Sequence, residues 1–186
     1  MTSKEADNIY SPAEDTFLLI KAIRRYAADR VLEIGIGSGL VLSELVEKNN
    51  LAVGVDLDIQ AVKSAKDSIS NKPAWSKVNL VRCDSASPFR DGAFDLVVFN
   101  PPYLPSEEIM DTTVDGGSGG VEVSMAWFRE ASRCLGKGGK IVFVASSLSD
   151  VEGLFEYVRG FGFGVEVLSR ARLFFEELSV VEARLI

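Results

Sequence analysis

The chain has 186 residues, of which 47% are hydrophobic and 25% charged, a composition typical of a one-domain globular protein. Its net charge of -7 and its lack of histidine argue against a broad nucleic-acid surface, a metal site and a Ser-His-Asp triad. No apolar run reaches the roughly 20 residues of a membrane span. These features predict a cytoplasmic protein that acts on a protein or a small molecule.

Helices and strands alternate along most of the chain. The capping-box pattern from Ser11 to Glu14 predicts a first helix that runs to about Ala28. Further helices are predicted at 39–48, 59–70, 121–135 and 150–159, and strands at 30–34, 51–55, 78–82, 94–99, 140–145, 164–169 and 178–186. This alternation predicts an α/β fold with a mostly parallel sheet and helices on both faces. The last two strands, with no helical pattern between them, are expected to form an antiparallel pair at the edge.

A glycine-rich turn follows the first predicted strand. Gly35, Gly37 and Gly39 stand at alternate positions, where glycine permits positive φ and lets the backbone approach a ligand closely. The dinucleotide fingerprint requires its third glycine at position 40, which is Leu40. A nicotinamide oxidoreductase is therefore disfavoured, and the spacing matches the G-x-G-x-G turn of S-adenosylmethionine (SAM)-dependent methyltransferases.

Acidic residues follow the same strands. Asp56 ends the second strand, where a carboxylate can accept from ribose hydroxyls, and Asp84 follows the third, where it can accept from an adenine amino group. Glu33 lies just below the glycine turn. Carboxylates suit a cationic sulfonium and would repel the phosphates of a nucleotide. The alternative is that the glycines form only a tight turn and that Asp56 and Asp84 only cap helices.

The fourth strand ends in Asn100-Pro101-Pro102-Tyr103, called here the Asn-Pro-Pro-Tyr corner. Proline fixes φ and has no N–H, so the corner is rigid and its carbonyls are free to accept. The side-chain oxygen of Asn100 and the carbonyl of Pro101 can accept the two hydrogens of a planar –NH2 group, and Tyr103 can stack on the flat substrate. The alternatives are a rigid turn or a docking segment for the corner, and a packing role for Tyr103.

With these motifs the chain resembles the class I SAM-dependent methyltransferases of the HemK group, which methylate the glutamine side-chain nitrogen (N5) of class I translation release factors. The segment 10–16, the glycine turn, the two aspartates, the corner and Asp115-Gly116-Gly117 carry the resemblance. It is greatest to the short archaeal and eukaryotic members. The resemblance implies a doubly wound, Rossmann-like sheet of seven strands in a single domain over residues 1–186, in which residues 1–28 cap the cofactor site.

The resemblance also implies roles for individual residues. The expected SAM contacts are Thr16, Glu33, Gly35, Gly37, Asp56, Asp84, Ser85 and Asn100. The expected catalytic residues are Asn100, Pro101 and Tyr103, and these with Pro102 are the expected substrate contacts. Asp115-Gly116-Gly117 is expected either to close over the substrate or to be a solvated loop.

A partner is implied as well. Short members of the group work with a small zinc-binding activator protein that covers an apolar strip near the sheet edge, for which residues 51–53 and 78–81 are both candidates. Other acceptors also remain open, because methyltransferases that act on the exocyclic amine of adenine carry the same corner. They generally need a basic face for the nucleic acid, which this chain lacks. A protein lysine and a non-catalytic SAM-binding module complete the alternatives.

Overall fold

The computed structural model describes residues 13–106, 111 and 113–186. In that part of the chain the helices are α1 Glu14–Ile23, α2 Leu40–Lys48, α3 Ile59–Ile69, α4 Glu122–Cys134 and α5 Val151–Gly160. The strands are β1 Arg30–Ile34, β2 Leu51–Asp56, β3 Val78–Arg82, β4 Phe94–Phe99, β5 Leu104–Pro105, β6 Asp115–Gly117, β7 Leu135–Ser146, β8 Phe163–Leu173 and β9 Glu176–Leu185. None of the described helices is both long and apolar enough to cross a bilayer.

The main sheet has seven strands in the order β3-β2-β1-β4-β7-β9-β8. The first five of these pair in parallel, and β9 runs antiparallel to both β7 and β8. The mostly parallel sheet with an antiparallel C-terminal pair is confirmed. After β1 the chain continues on one side through β2 and β3, and it then returns to the other side of β1 as β4. This reversal opens a crevice at the carboxyl ends of the strands, which is where doubly wound sheets bind ligands.

Several element boundaries differ from the sequence prediction. Helix α1 begins at Glu14 with Ala13 at the N-cap and ends at Ile23, five residues before the predicted end at Ala28. Ser11 and Pro12 of the predicted capping box lie outside the described residues. Strands β8 and β9 approach to a two-residue turn between Leu173 and Glu176, so both extend beyond the predicted ranges. Two short strands that the sequence did not predict, β5 and β6, pair in parallel after the fourth strand of the main sheet.

Both faces of the sheet are buried, which is why its strands read as continuous apolar runs. Phe99, the last residue of β4, is fully buried and stacks on Phe143 of β7 with ring centroids 5.3 Å apart. Phe128 of α4 packs edge-on against Phe143 and Phe163. This aromatic layer supports the end of β4 from below, and the Asn-Pro-Pro-Tyr corner begins at the next residue.

A buried carboxylate joins the segment after α1 to the sheet. Glu182 of β9 is only 3% exposed and accepts hydrogen bonds from the Tyr26 hydroxyl and, at 3.1 Å, from Lys140 Nζ. Burial acts to raise the pKa of Glu182, but the hydrogen bonds from Tyr26 and Lys140 outweigh it and hold the pKa below its usual value. The ionised form of Glu182 therefore stabilises the fold.

We predict that Glu182→Gln lowers the free energy of unfolding at pH 7 by about 1 to 2 kcal/mol, since it weakens hydrogen bonds to a charged group. The folded-state pKa is depressed, so this contribution is present above the unfolded carboxyl pKa of about 4.3 and is lost as the pH falls through the folded value. Urea unfolding across a pH series should show a weaker acid dependence for the variant. Glu47→Gln, at an exposed position of α2, is the control; parallel pH curves for wild type and Glu182→Gln would contradict the prediction.

Candidate active site

A cavity of about 550 Å³ opens at the carboxyl ends of β1, β2 and β4. Its volume lies within the range of roughly 300–1,000 Å³ of small-molecule sites. Its walls contain many of the residues that the sequence predicted for a cofactor or substrate: Thr16, Glu33, Gly35, Gly37, Asp56, Asp84, Ser85, Asn100 and Pro102. Pro101 and Tyr103 belong to the same corner but do not line the cavity. The fold thus brings residues from α1, three strand ends and the segment after β3 to one site.

The glycine turn has three left-handed residues with different neighbours. Gly35, Gly37 and Gly39 have φ of +73°, +48° and +78°. A Cβ at Gly35 would lie 2.5 Å from Trp127 Cη2, and one at Gly39 would lie 2.8 Å from the Cα of Ala65 in α3. A Cβ at Gly37 would meet no atom within 4 Å. Gly35 and Gly39 therefore permit close packing, whereas Gly37 leaves a stretch of backbone open to the cavity.

Asp56 is fixed against the glycine turn. Its Oδ2 accepts from the backbone N–H of Gly37 at 3.1 Å, and its Oδ1 accepts from the backbone N–H of Asp58 at 2.9 Å. Burial raises the pKa of Asp56 above its usual value, although these backbone hydrogen bonds oppose the shift. The carboxylate is thus held at the end of β2 in one orientation, with both oxygens engaged by the backbone and the side chain still lining the cavity.

Glu33 is the most deeply buried acid of the cavity. It is 4% exposed, and its Oε2 has no hydrogen-bond partner. Burial raises the pKa of Glu33 well above its usual value, and the charge of Asp56 adds to this, while a backbone hydrogen bond from Leu42 opposes it. A buried carboxyl oxygen without a partner is costly. A ligand with a cationic group would compensate it, so this wall fits the positively charged end of SAM.

Partnerless oxygens are concentrated at this cavity. Four buried side-chain oxygens of the described residues have no hydrogen-bond partner, and three of them, on Glu33, Ser85 and Asn100, belong to cavity-lining residues. Ser85 also has a φ of +49°, a left-handed conformation that is strained for a residue with a side chain. Native proteins leave few buried polar atoms unpaired. The cavity therefore fits a ligand that carries several hydrogen-bond donors.

The Asn-Pro-Pro-Tyr corner is packed from two sides. Pro101 and Pro102 are buried. A Cβ at Gly116 of β6 would lie 2.8 Å from the carbonyl oxygen of Pro102, and one at Gly120 would lie 2.5 Å from that of Tyr103. The sequence left open whether the Asp115-Gly116-Gly117 segment closes over the substrate or forms a solvated loop. In the structure this segment lies directly against the corner, and Asp115 itself lines the cavity. Glycine is required at position 116 because the two backbones touch.

Tyr103 joins the corner to α1. Its hydroxyl donates to Asp15 Oδ2 at 3.1 Å, and its half-buried ring packs against the core cluster on the α1 side of the sheet. Asp15 is 2% exposed, and its other oxygen accepts from the backbone N–H of Thr16 at 2.6 Å. The structure thus shows the packing contact that the sequence offered as the alternative for Tyr103. Stacking of its ring on a substrate stays a prediction.

The sequence did not reveal Trp127 as a site residue. Trp127 on α4 lines the cavity, faces Gly35 and meets Phe99 edge-on with ring centroids 6.0 Å apart. An aromatic residue on an amphipathic helix reads as an ordinary core residue. The only feature of the sequence that could have indicated this contact was Gly35. A glycine there indicates that another group packs closely against the turn, but it does not identify that group as Trp127.

We predict that Glu33→Gln raises the free energy of unfolding at neutral pH. The folded-state pKa of Glu33 lies above the unfolded value, so wild-type stability falls as the pH rises from the unfolded carboxyl pKa of about 4.3 through the folded pKa, and the amide removes this loss. Urea unfolding of the ligand-free protein should show a gain at pH 7 that shrinks on acidification. Glu156→Gln, exposed on α5, serves as the control; a Glu33 variant that is destabilised at every pH would show that the buried acid is not strained.

Three comparisons with known proteins agree with this geometry. The model of the methyltransferase small domain family matches residues 8–171. A Methanocaldococcus jannaschii protein, provisionally named a protein N5-glutamine methyltransferase, is 35% identical over 94% of this chain and 91% of its own length. The release factor glutamine methyltransferase of Caulobacter vibrioides is 28% identical over 71% of this chain, but the match spans only 52% of that protein.

A solved structure extends the likeness to the whole described fold. One chain of the E. cuniculi Mtq2–Trm112 complex superposes with a TM-score of 0.79 and 25% identity, over 95% of this chain and 98% of that one. That complex is described as responsible for the methylation of the translation termination factor eRF1. The fold of this chain therefore matches that of the E. cuniculi chain over nearly the whole length of both.

Proposed function

The chain belongs to the methyltransferase small domain family, and from this membership we propose that it transfers the methyl group of SAM to the N5 nitrogen of the glutamine in the Gly-Gly-Gln loop of a class I translation release factor. One observation carries the proposal: the side-chain oxygen of Asn100 is buried, has no partner and belongs to the cavity wall at the tip of β4. The release factor activities named for the C. vibrioides and E. cuniculi proteins support the choice of substrate.

The donor contacts that we propose follow the cavity walls. SAM, when bound, supplies a methyl group already activated by its sulfonium. Asp56, at the end of β2, accepts from the ribose hydroxyls, and Asp84 and Ser85, after β3, contact the adenine. Thr16 of α1 contacts the methionine end, and the buried carboxyl of Glu33 lies toward the cationic part of the donor. Gly35 and Gly37 let the backbone approach. The partnerless oxygens and the open backbone at Gly37 support this arrangement.

The chemical task of the corner is to orient the acceptor amide. The side-chain oxygen of Asn100 accepts one hydrogen of the glutamine –NH2 and the carbonyl of Pro101 accepts the other, so that the nitrogen faces the methyl group, while Pro102 and Tyr103 border the substrate. Such positioning can lower a barrier by roughly 7 to 11 kcal/mol, and no strong general base is needed. The nitrogen–carbon bond forms as the sulfur–methyl bond of SAM breaks, S-adenosylhomocysteine is the leaving product, and the methylated nitrogen releases one proton to solvent. The aromatic stack below Phe99 and the β6 backbone above Pro102 keep the corner rigid.

We propose that the chain works as a heterodimer with a small zinc-binding activator protein, as the Mtq2–Trm112 assembly of E. cuniculi supports. The sheet topology separates the two candidate segments. Strand β2, which contains residues 51–53, pairs with β1 on one side and β3 on the other and offers no free backbone edge. Strand β3, which contains residues 78–81, lies at the sheet edge. The β3 edge is therefore our candidate for the activator interface.

We further propose a single methyltransferase domain over residues 1–186, with residues 1–28 as the cap of the cofactor site. The position of Thr16 in the cavity wall supports this role for the described part of that segment. Because the proposed substrate, a release factor, acts at the ribosome, we place the activity in the cytoplasm.

Transfer of label from SAM tests the function directly. The purified chain is incubated with methyl-labelled SAM and a release factor, with and without the activator, and the modified residue is mapped by mass spectrometry. We expect label on the glutamine of the Gly-Gly-Gln loop. Label on lysine or on adenine would replace the proposed acceptor, and SAM binding without transfer to any protein or nucleic acid would identify a non-catalytic module.

We predict that Asn100→Ala lowers kcat by at least about 100-fold, because the acceptor amide loses its orientation. The dissociation constant for SAM should change by no more than about 5-fold, since the other donor contacts remain. Calorimetric SAM binding and single-turnover methylation measure the two quantities. Asn50→Ala, an exposed position before β2, is the matched control; an undiminished rate in Asn100→Ala would exclude the role assigned to the corner.

A further inference from the structure

We propose that Asp15 is a positioning residue, whose carboxylate ties the Asn-Pro-Pro-Tyr corner to α1 and so keeps the acceptor amide aligned with the donor. For its turnover readout this inference rests on the proposed function. Asp15 itself does not line the cavity. It acts through Tyr103 on one side and Thr16 on the other.

The two oxygens of the Asp15 carboxylate contact two different segments of the site. Oδ1 accepts from the backbone N–H of Thr16 at 2.6 Å and from its hydroxyl at 3.3 Å, and Thr16 lines the cavity where we place the donor. Oδ2 accepts from the hydroxyl of Tyr103 at 3.1 Å, and Tyr103 is the last residue of the corner that orients the acceptor. A single side chain thus joins the donor wall to the acceptor wall.

The Asp15 carboxylate is buried and anchored within α1. Asp15 is 2% exposed, and a buried carboxylate is stable only where hydrogen bonds replace its lost hydration. The bond from the Thr16 N–H, at 2.6 Å, has the short length of a charge-assisted hydrogen bond, whereas the bond from the Tyr103 hydroxyl, at 3.1 Å, is longer. Asp15 also lies in the first turn of α1, where the helix dipole favours an anion. The carboxylate is therefore held in place by α1 and offers Tyr103 a fixed acceptor.

The other contacts of the corner do not replace this link. The backbone around Gly116 and Gly120 presses on the carbonyls of Pro102 and Tyr103, which restrains the main chain on the β6 side. The hydroxyl bond restrains the opposite end of the Tyr103 side chain, on α1. The bond therefore adds a restraint at the side-chain end of Tyr103, and a displacement of about 1 Å can cost a reaction roughly 100-fold in rate.

The hydrogen bond to Asp15 gives the Tyr103 hydroxyl a role, whereas stacking on a substrate would use only the ring. Stacking on a flat substrate uses the ring face, which phenylalanine retains. The hydrogen bond to Asp15 uses the hydroxyl, which phenylalanine lacks. Tyr103→Phe therefore separates the two roles, and Asp15→Asn changes the other end of the same bond, because one amide oxygen cannot serve both Tyr103 and Thr16 as two carboxylate oxygens do.

We predict that Tyr103→Phe and Asp15→Asn each lower kcat for release factor methylation by roughly 10- to 100-fold. In Tyr103→Phe, which leaves the contacts between Asp15 and Thr16 in place, the dissociation constant for S-adenosylhomocysteine, measured by calorimetry, should change by less than about 3-fold. The double variant should be about as slow as the slower single variant, since both changes break one interaction. Tyr157→Phe on α5, which removes a hydroxyl away from the cavity, is the matched control and should not alter kcat.

A second readout does not depend on activity. In asparagine-labelled protein saturated with S-adenosylhomocysteine, the side-chain amide NMR signal of Asn100, assigned by its loss in Asn100→Ala, reports the position of the corner. It should shift in Tyr103→Phe and Asp15→Asn and stay in place in Tyr157→Phe. If the wild-type chain transfers no methyl group to glutamine, the proposed function fails and this signal still decides the positioning role.

Three results would overturn the inference. The first is a kcat of Tyr103→Phe within about twofold of wild type with an unmoved Asn100 signal, and the second is an affinity of Tyr103→Phe for S-adenosylhomocysteine that falls in proportion to its kcat. The third is rate losses that multiply in the double variant. Thermal unfolding of each variant shows whether it is folded. If Asp15→Asn does not fold, Tyr103→Phe and the Asn100 signal decide the question alone.

Discussion

The parallel pairing of β1 with both β2 and β4 is the constraint on which the site depends. Ile34 at the end of β1 is in register with Val55 on one side and with Phe99 on the other. Neighbouring strands lie about 4.8 Å apart. The residues that follow, the glycine turn, Asp56 and Asn100, therefore emerge side by side at one edge of the sheet. A shift of one residue in either pairing would turn one of these side chains to the opposite face.

The same edge carries polar atoms that the ligand-free fold does not satisfy. Glu33 is buried without a partner for one oxygen, and Ser85 and Asn100 each bury an oxygen in the same state. Such groups cost folding free energy, and natural proteins retain them mainly where a ligand completes them. The site thus lowers the stability of the free protein in exchange for affinity, and the strained φ of Ser85 is consistent with this reading.

The proposed donor and acceptor sides of the cavity are built by different means. Glycine and carboxylate groups line the proposed donor side, where backbone must approach closely and a cation must be accommodated. The acceptor side is a rigid corner, supported by the aromatic stack below Phe99 and by the glycine backbone of β6, and it needs no titrating group. Asp15 joins the two sides through Thr16 and Tyr103. Methyl transfer from an already activated donor demands alignment more than proton transfer, and the architecture suits that demand.

The sequence by itself determined the strand ends and their chemistry. Residues such as Asp56 and Asn100 could be placed because each is covalently attached to the end of an apolar run, and strand alternation then brings such ends to one edge of the sheet. Only the tertiary structure decided that Trp127 faces Gly35, that β3 rather than β2 forms an edge, and that Tyr103 meets Asp15 across 88 positions of the chain. Local patterns depend on neighbouring residues, whereas these contacts depend on how distant elements pack.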